Sequence, residues 1–137
     1  EKIIPRLRLP HTEIDVEEIM AKDSLHMTDQ DRHIIFEHVA PLAQLDRPIL
    51  VIHGTDTMQL SAEYCFQRCQ NVKVPVVFTG AMKPVGFEDS DAIQNFTEAL
   101  IAASILPPGI YISFHSRIFK VPNVRKNLAK STFEEIG

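Results

Sequence analysis

Three short apolar runs constrain the fold of this chain more than any other feature: Ile49-Leu50-Val51-Ile52, Val74-Pro75-Val76-Val77-Phe78 and Ile110-Tyr111-Ile112-Ser113-Phe114. They are rich in β-branched residues and do not alternate apolar with polar, the pattern of strands buried on both faces of a parallel sheet. Between them the spacing turns helical. Ala62, Cys65, Phe66 and Cys69 make one stripe, in a helix expected from about Ser61 to Gln70. Ile93, Phe96, Leu100 and Ala103 make another, starting near Ser90 and ended by Pro107. Upstream, Thr28 is placed to cap a helix whose inner face holds Ile35, Val39 and Leu42. The stretch Ile14 to Met20 alternates apolar and charged residues and reads as an earlier strand nearer the sheet edge.

Strand, helix, strand, helix, strand with right-handed crossovers makes a three-layer α/β/α sandwich on a mainly parallel sheet of the Rossmann or flavodoxin-like kind. The 137 residues, 45% of them apolar, suffice for one such domain but not two. No apolar run approaches the ~20 residues of a spanning helix. The longest, Ala99 to Leu106, is broken by Ser104 and stopped by Pro107-Pro108. Fourteen basic against eighteen acidic residues leave a net charge of -4, a poor footprint for nucleic acid.

Cys65 and Cys69 cannot make a disulfide framework for a domain of this size; they read as reduced, buried thiols of an intracellular, cytoplasmic protein rather than as metal ligands. The histidines, His11, His26, His33, His38, His53 and His115, are scattered, and His33 and His38 are five apart, off a common helix face. No Gly-x-Gly-x-x-Gly or phosphate-loop pattern occurs, so neither a metal nor a cofactor is expected.

In sheets of this kind ligands bind beyond the carboxyl ends of the strands. His53-Gly54-Thr55-Asp56-Thr57 follows the first apolar run and Thr79-Gly80-Ala81-Met82-Lys83-Pro84 the second, so two of only five glycines stand at equivalent strand exits. The first loop offers two hydroxyls, a carboxylate and backbone N–H groups at a helix amino end, suited to a carboxylate ligand or a developing oxyanion. The plainer alternative is that Thr55 and Asp56 only cap the next helix. A threonine hydroxyl needs a base, and Lys126 in Asn123-Val124-Arg125-Lys126-Asn127 is the natural one to seek. Its plainer alternative is a solvated lysine in a basic turn with Arg125 and Lys130.

Taken together these loops resemble the bacterial-type L-asparaginase/glutaminase family. Val51-Ile52-His53-Gly54-Thr55-Asp56-Thr57-Met58 is similar to the family's second signature, and Pro75 to Pro84 to its next strand and loop. Ser90-Asp91 followed by Asn95 resembles its Ser-Asp-x-x-x-Asn helix start, and Lys126 falls where the family keeps its lysine. The resemblance runs from about Asp23 to Lys126. It implies a C–N hydrolase that releases ammonia from the side-chain amide of L-asparagine or a related small amide. By the same resemblance Thr55, Asp56 and Lys126 form a catalytic triad, with Thr55 polarising the attacking group and Lys126 as base. Asp56 would bind the substrate α-amino group, Ser24 the α-carboxylate, Gly54 would line the binding loop, and the Ala81 carbonyl would accept from the amide nitrogen.

Departures from the family are expected to matter. The amino-terminal Thr-Gly-Gly-Thr-Ile segment, which bears the family's other threonine and a central strand, should precede Glu1; a sheet without that strand exposes apolar edges. Leu25 follows Ser24 where many members have a polar residue. The family's second domain is missing too. Residues 1–137 therefore read either as a fragment of a two-domain enzyme or, the favoured expectation, as a single amino-terminal-type domain of a compact set holding only that domain, with the polar tail Ser131 to Gly137 as its terminus. A homodimer or higher homo-oligomer is expected, since small domains of this family usually pair. The alternatives are a non-catalytic amino-acid-binding domain on the same fold and, ranked below it, amide-nitrogen transfer within a larger complex.

Overall fold

The structure, a computed structural model, describes residues 3–69 and 71–136. The three apolar runs become strands β1 (Ile49–Ile52), β2 (Pro75–Thr79) and β3 (Gly109–Phe114), which pair parallel in that order. A tight turn returns β3 into an antiparallel β4 (Arg117–Lys120), closing the order β1-β2-β3-β4. Strands β5 (Val124–Asn127) and β6 (Thr132–Glu135) form a separate two-stranded hairpin.

Side chains of successive strand residues face opposite ways, and the two cores follow that period. Val76, Phe78, Ile110, Ile112 and Phe114 join one apolar cluster with helices α1 (Asp29–Leu42) and α2 (Met58–Arg68). Val77 and Tyr111, between them in sequence, pack on the other side against Ala99 and Ala103 of α3 (Ala92–Ile105). Helices thus cover both faces of the mainly parallel sheet, as the apolar runs require. The hairpin closes the larger core with Val124 and Phe133, the latter meeting the Phe114 ring edge-on at 5.0 Å.

Thr28 does cap α1. Its hydroxyl accepts from the Asp31 N–H while Asp31 accepts from the Thr28 N–H, a reciprocal box reinforced by Lys22 at 2.7 Å. The inner face of α1 holds Ile35 and Val39, and its C-cap Ala43 is buried beyond them; Leu42, expected on that face, lies in the last turn and is exposed. On α2, Ala62 and Cys65 are buried but Phe66 is exposed, and the helix ends at Arg68; Gln70, the expected last residue, lies outside the described residues. On α3 the small residues Ala92, Ala99 and Ala102 join Phe96 and Ala103 in the interior, while Ile93 and Leu100 are half-buried.

Three expectations are corrected. Ile14 to Met20 is no strand: among the described residues it joins no ladder. Its acidic groups reach side chains instead, Asp15 to Arg47 and Glu17 to His38, and Met20 packs on the core. Strand β1 is not buried on both faces: among the described residues it pairs with β2 alone, as an edge strand, and Ile52 is exposed. The tail after Ser131 is not merely polar chain, since Thr132–Glu135 is β6 and Phe133 is 2% exposed. The hairpin matters because Lys126 stands on it.

Candidate active site

The loops at the carboxyl ends of β1 and β2 meet through their glycines. A Cβ on Gly80 would overlap the His53 carbonyl oxygen, so only glycine lets the two strand exits approach. A Cβ on Gly54 would lie 2.8 Å from the Ser24 Oγ. Neither position needs a left-handed backbone; close approach is the reason for both glycines. His53 is buried between them, with Nδ1 donating to the Gly54 carbonyl at 2.7 Å and Nε2 accepting from the Ser61 hydroxyl at 2.7 Å. Burial, with the positive charge of Arg32 assisting, holds this imidazole below its ordinary value against the pull of the Gly54 carbonyl.

Lys126 reaches this corner from β5. Its Nζ donates to Thr55 Oγ1 at 3.0 Å and to Asp56 Oδ1 at 3.1 Å, across 71 and 70 positions of chain. The lysine is no solvated turn residue: its side chain is 13% exposed, against 45% for Asp56. Nor do Thr55 and Asp56 cap α2, whose N-cap is Thr57 with no side-chain bond to the helix. Thr57 turns instead to Ser24, its hydroxyl donating to the Ser24 carbonyl at 2.8 Å and its N–H to Ser24 Oγ at 3.4 Å. That pair draws the buried Ser24, in a 3-10 turn at Ser24–His26, against Gly54. Ser24, Gly54, Thr55, Asp56 and Lys126 therefore converge.

Ala81 stands in the neighbouring loop. With Ile52, His53, Gly54, Thr79 and Gly80 it lines a cleft of about 250 Å³ beyond the strand ends, where a sheet of this topology accepts ligands. A larger hollow of about 320 Å³ between Arg6 and the 85–90 turn shares none of the converging residues.

A second cluster supports the Ala81 loop. Asp91, at the start of α3, accepts from the Met82 N–H at 3.1 Å, the Lys83 N–H at 3.0 Å and Asn95 Nδ2 at 3.2 Å. His115 donates to it from Nε2 at 2.6 Å. Burial opposes ionisation of Asp91, but the backbone N–H groups of Lys83 and Met82 and the His115 ring outweigh it and keep the carboxyl below the usual range. Asn95 also donates to the Gly80 carbonyl at 2.9 Å. In the sequence Asp91 and Asn95 stand out only as a helix-start motif, and His115 is one of six scattered histidines. The signal that marks His115 is its position, just past the carboxyl end of β3.

Residues 2–135 match the family described as "Asparaginase, N-terminal". An L-asparaginase of Thermococcus kodakarensis is 31% identical over 126 residues, covering 90% of this chain and 38% of that protein. The solved thermostable L-asparaginase from Thermococcus kodakarensis superimposes with a TM-score of 0.89 at 29% identity, over 98% of this chain and 42% of its own. A component of the glutamyl-tRNA(Gln) amidotransferase of Haloquadratum walsbyi is 32% identical over 98 residues, 65% of this chain and 22% of that protein. The chain spans less than half the length of each of these relatives.

Proposed function

Because this chain belongs to the asparaginase family, whose amino-terminal domain it matches over residues 2–135, we propose that it hydrolyses the side-chain amide of L-asparagine, or of a related small amide, to the acid and ammonia. The observation that carries this reading is the Lys126 Nζ, held within 3.1 Å of both Thr55 Oγ1 and Asp56 Oδ1 by a hairpin 70 residues away.

Thr55 polarises the attacking water, and Lys126 is the base that takes the proton Thr55 relays. Water's oxygen bonds to the acyl carbon, the C–N bond breaks, and the proton leaves with nitrogen as ammonia. Asp56, the more exposed member of its ion pair with Lys126, has a second carboxylate oxygen to offer the substrate α-amino group. Ser24 accepts from Thr57 and still has its own hydroxyl hydrogen for the α-carboxylate. The Ala81 carbonyl accepts from the amide nitrogen, and backbone N–H groups at the strand exits face the developing oxyanion. Exact placement of these groups supplies most of the rate.

The reading includes a homo-oligomer working in the cytoplasm, checked by light scattering and by cell fractionation; the free thiols of Cys65 and Cys69 are in keeping with it. The deciding experiment is ammonia release from L-asparagine by the full-length gene product. Release that Lys126→Met abolishes supports the enzyme. Asparagine binding by a folded protein without release above the Lys126→Met background overturns it in favour of an amino-acid-binding domain.

A further inference from the structure

We propose that His115 is a positioning residue: its ring joins the loop that carries Ala81 to the hairpin that carries Lys126, and so fixes the gap in which the amide is cleaved. This rests on the amide-hydrolysis reading above and deepens it.

The need for such a joint follows from topology. The Ala81 loop leaves β2 of the main sheet, whereas Lys126 stands on a hairpin that, among the described residues, shares no ladder with that sheet. Backbone pairing therefore does not set the distance between them; side chains must. One such tie is the apolar contact of Phe133 with Phe114, which can slide. Others are the Arg117–Glu135 ion pair at 3.9 Å and the Lys126 bonds to the β1 loop, but a further, directional one reaches the Ala81 loop. From the loop, the Met82 and Lys83 N–H groups grip the Asp91 carboxylate; Asp91 accepts from His115 Nε2 at 2.6 Å; and His115 Nδ1 meets Thr132 Oγ1 at 2.7 Å. Thr132 is the β6 partner of Asn127, next to Lys126. The path from the Ala81 loop to the lysine thus runs through hydrogen bonds and one rigid ring.

Imidazole suits the task because its two nitrogens point in opposite directions and each is engaged. With Nε2–H given to the carboxylate, a neutral ring accepts the Thr132 hydroxyl hydrogen at Nδ1; a protonated ring donates there, and the hydroxyl serves either way. The ring is itself held. His115 has a left-handed backbone at φ 46°, its N–H donates to Asn95 Oδ1 at 3.0 Å, and its ring lies 4.2 Å from that of Phe114.

The test uses His115→Asn, which tolerates the left-handed turn but is too short to bridge Asp91 and Thr132, and Thr132→Val, which keeps β-branching but loses the hydroxyl. His115→Asn is expected to lower kcat for asparagine roughly 100-fold with KM within about twofold. Thr132→Val should lower it about tenfold and Thr132→Ser restore it. In both damaged variants the Met82 and Lys83 amides should exchange with solvent about tenfold faster while the β2 and β3 amides stay protected. Wild-type kcat and unchanged exchange in both variants would overturn the proposal. So would losses of activity that follow a general fall in stability, with exchange raised across the sheet. If the unaltered protein releases no ammonia, the amide reading falls on its own account and the exchange result alone decides whether His115 ties loop to hairpin.

Discussion

Lys126 and Thr55 lie 71 positions apart in the chain and 3.0 Å apart in space, and the contact exists only because the β5–β6 hairpin packs Phe133 into the core beneath it. Lys126→Met keeps the aliphatic stem and deletes the charge. It should cut ammonia release by about 10²- to 10⁴-fold, the usual share of a positioned proton-transfer group. Since the Asp56 partner is largely solvated, the variant should lose about 1 kcal/mol or less on urea unfolding. An inactive variant that is also unfolded would return Lys126 to a structural role.

The glycines predict two different failures. On Gly80→Ala the new methyl runs into the His53 backbone carbonyl, and β1 would have to part from β2 to make room. This variant should lose several kcal/mol of stability, about 3 or more, as overpacking against backbone does. On Gly54→Ala the obstacle is the Ser24 side chain at 2.8 Å, which is smaller and can shift. Here the fold should survive and KM for asparagine should rise about tenfold, the worth of one misplaced charge-assisted hydrogen bond. Unchanged KM in a folded Gly54→Ala protein would remove Ser24 from substrate binding.

Much of this molecule is legible in the sequence, and the pattern of hits and misses has a physical cause. Strands β2 and β3 and the three helices follow from local spacing, and the Thr55–Asp56–Lys126 grouping follows from motif resemblance. What fails depends on neighbours. An apolar tetrapeptide such as Ile49–Ile52 looks the same at a sheet centre and at its edge. The alternation of Ile14 to Met20 suits a strand, but a strand needs a partner and its acidic residues find Arg47 and His38 instead. Phe133 alone marks β6 within a polar tail. His115 carries no local signal because its partners, Asp91 and Thr132, are 24 and 17 positions away.

Cys65 and Cys69 should behave unlike each other. They are neighbours on α2 and at its end; the hydrogen bond to Cys69, together with burial, pushes the Cys65 thiol up, while the same bond lowers Cys69. Cys69 is also the more accessible of the two. The thiolate is the reactive form, so iodoacetamide on the native protein at neutral pH should label Cys69 and spare Cys65. Peptide mapping by mass spectrometry reads the result, and equal labelling before unfolding would contradict the burial of Cys65.

Buried His53 gives the fold a dependence on pH whose sign can be stated in advance. Its pKa is lowered from 6.5 by burial in the folded protein and returns to that value on unfolding. Below about 6.5 the unfolded chain therefore binds the proton that the folded chain refuses, so acid favours unfolding. Stability from this group is complete above about 6.5 and declines as the pH falls below it toward the lower folded value. Urea unfolding at about pH 5.5 and about pH 7.5 should show the native protein weaker at the lower pH. His53→Gln, which cannot take up a proton, should be less stable at the higher pH because it loses the bonds to the Gly54 carbonyl and the Ser61 hydroxyl. Its loss between the two pH values should nonetheless be smaller than that of the native protein. If both proteins lost the same amount, His53 would not be the group that senses the acid.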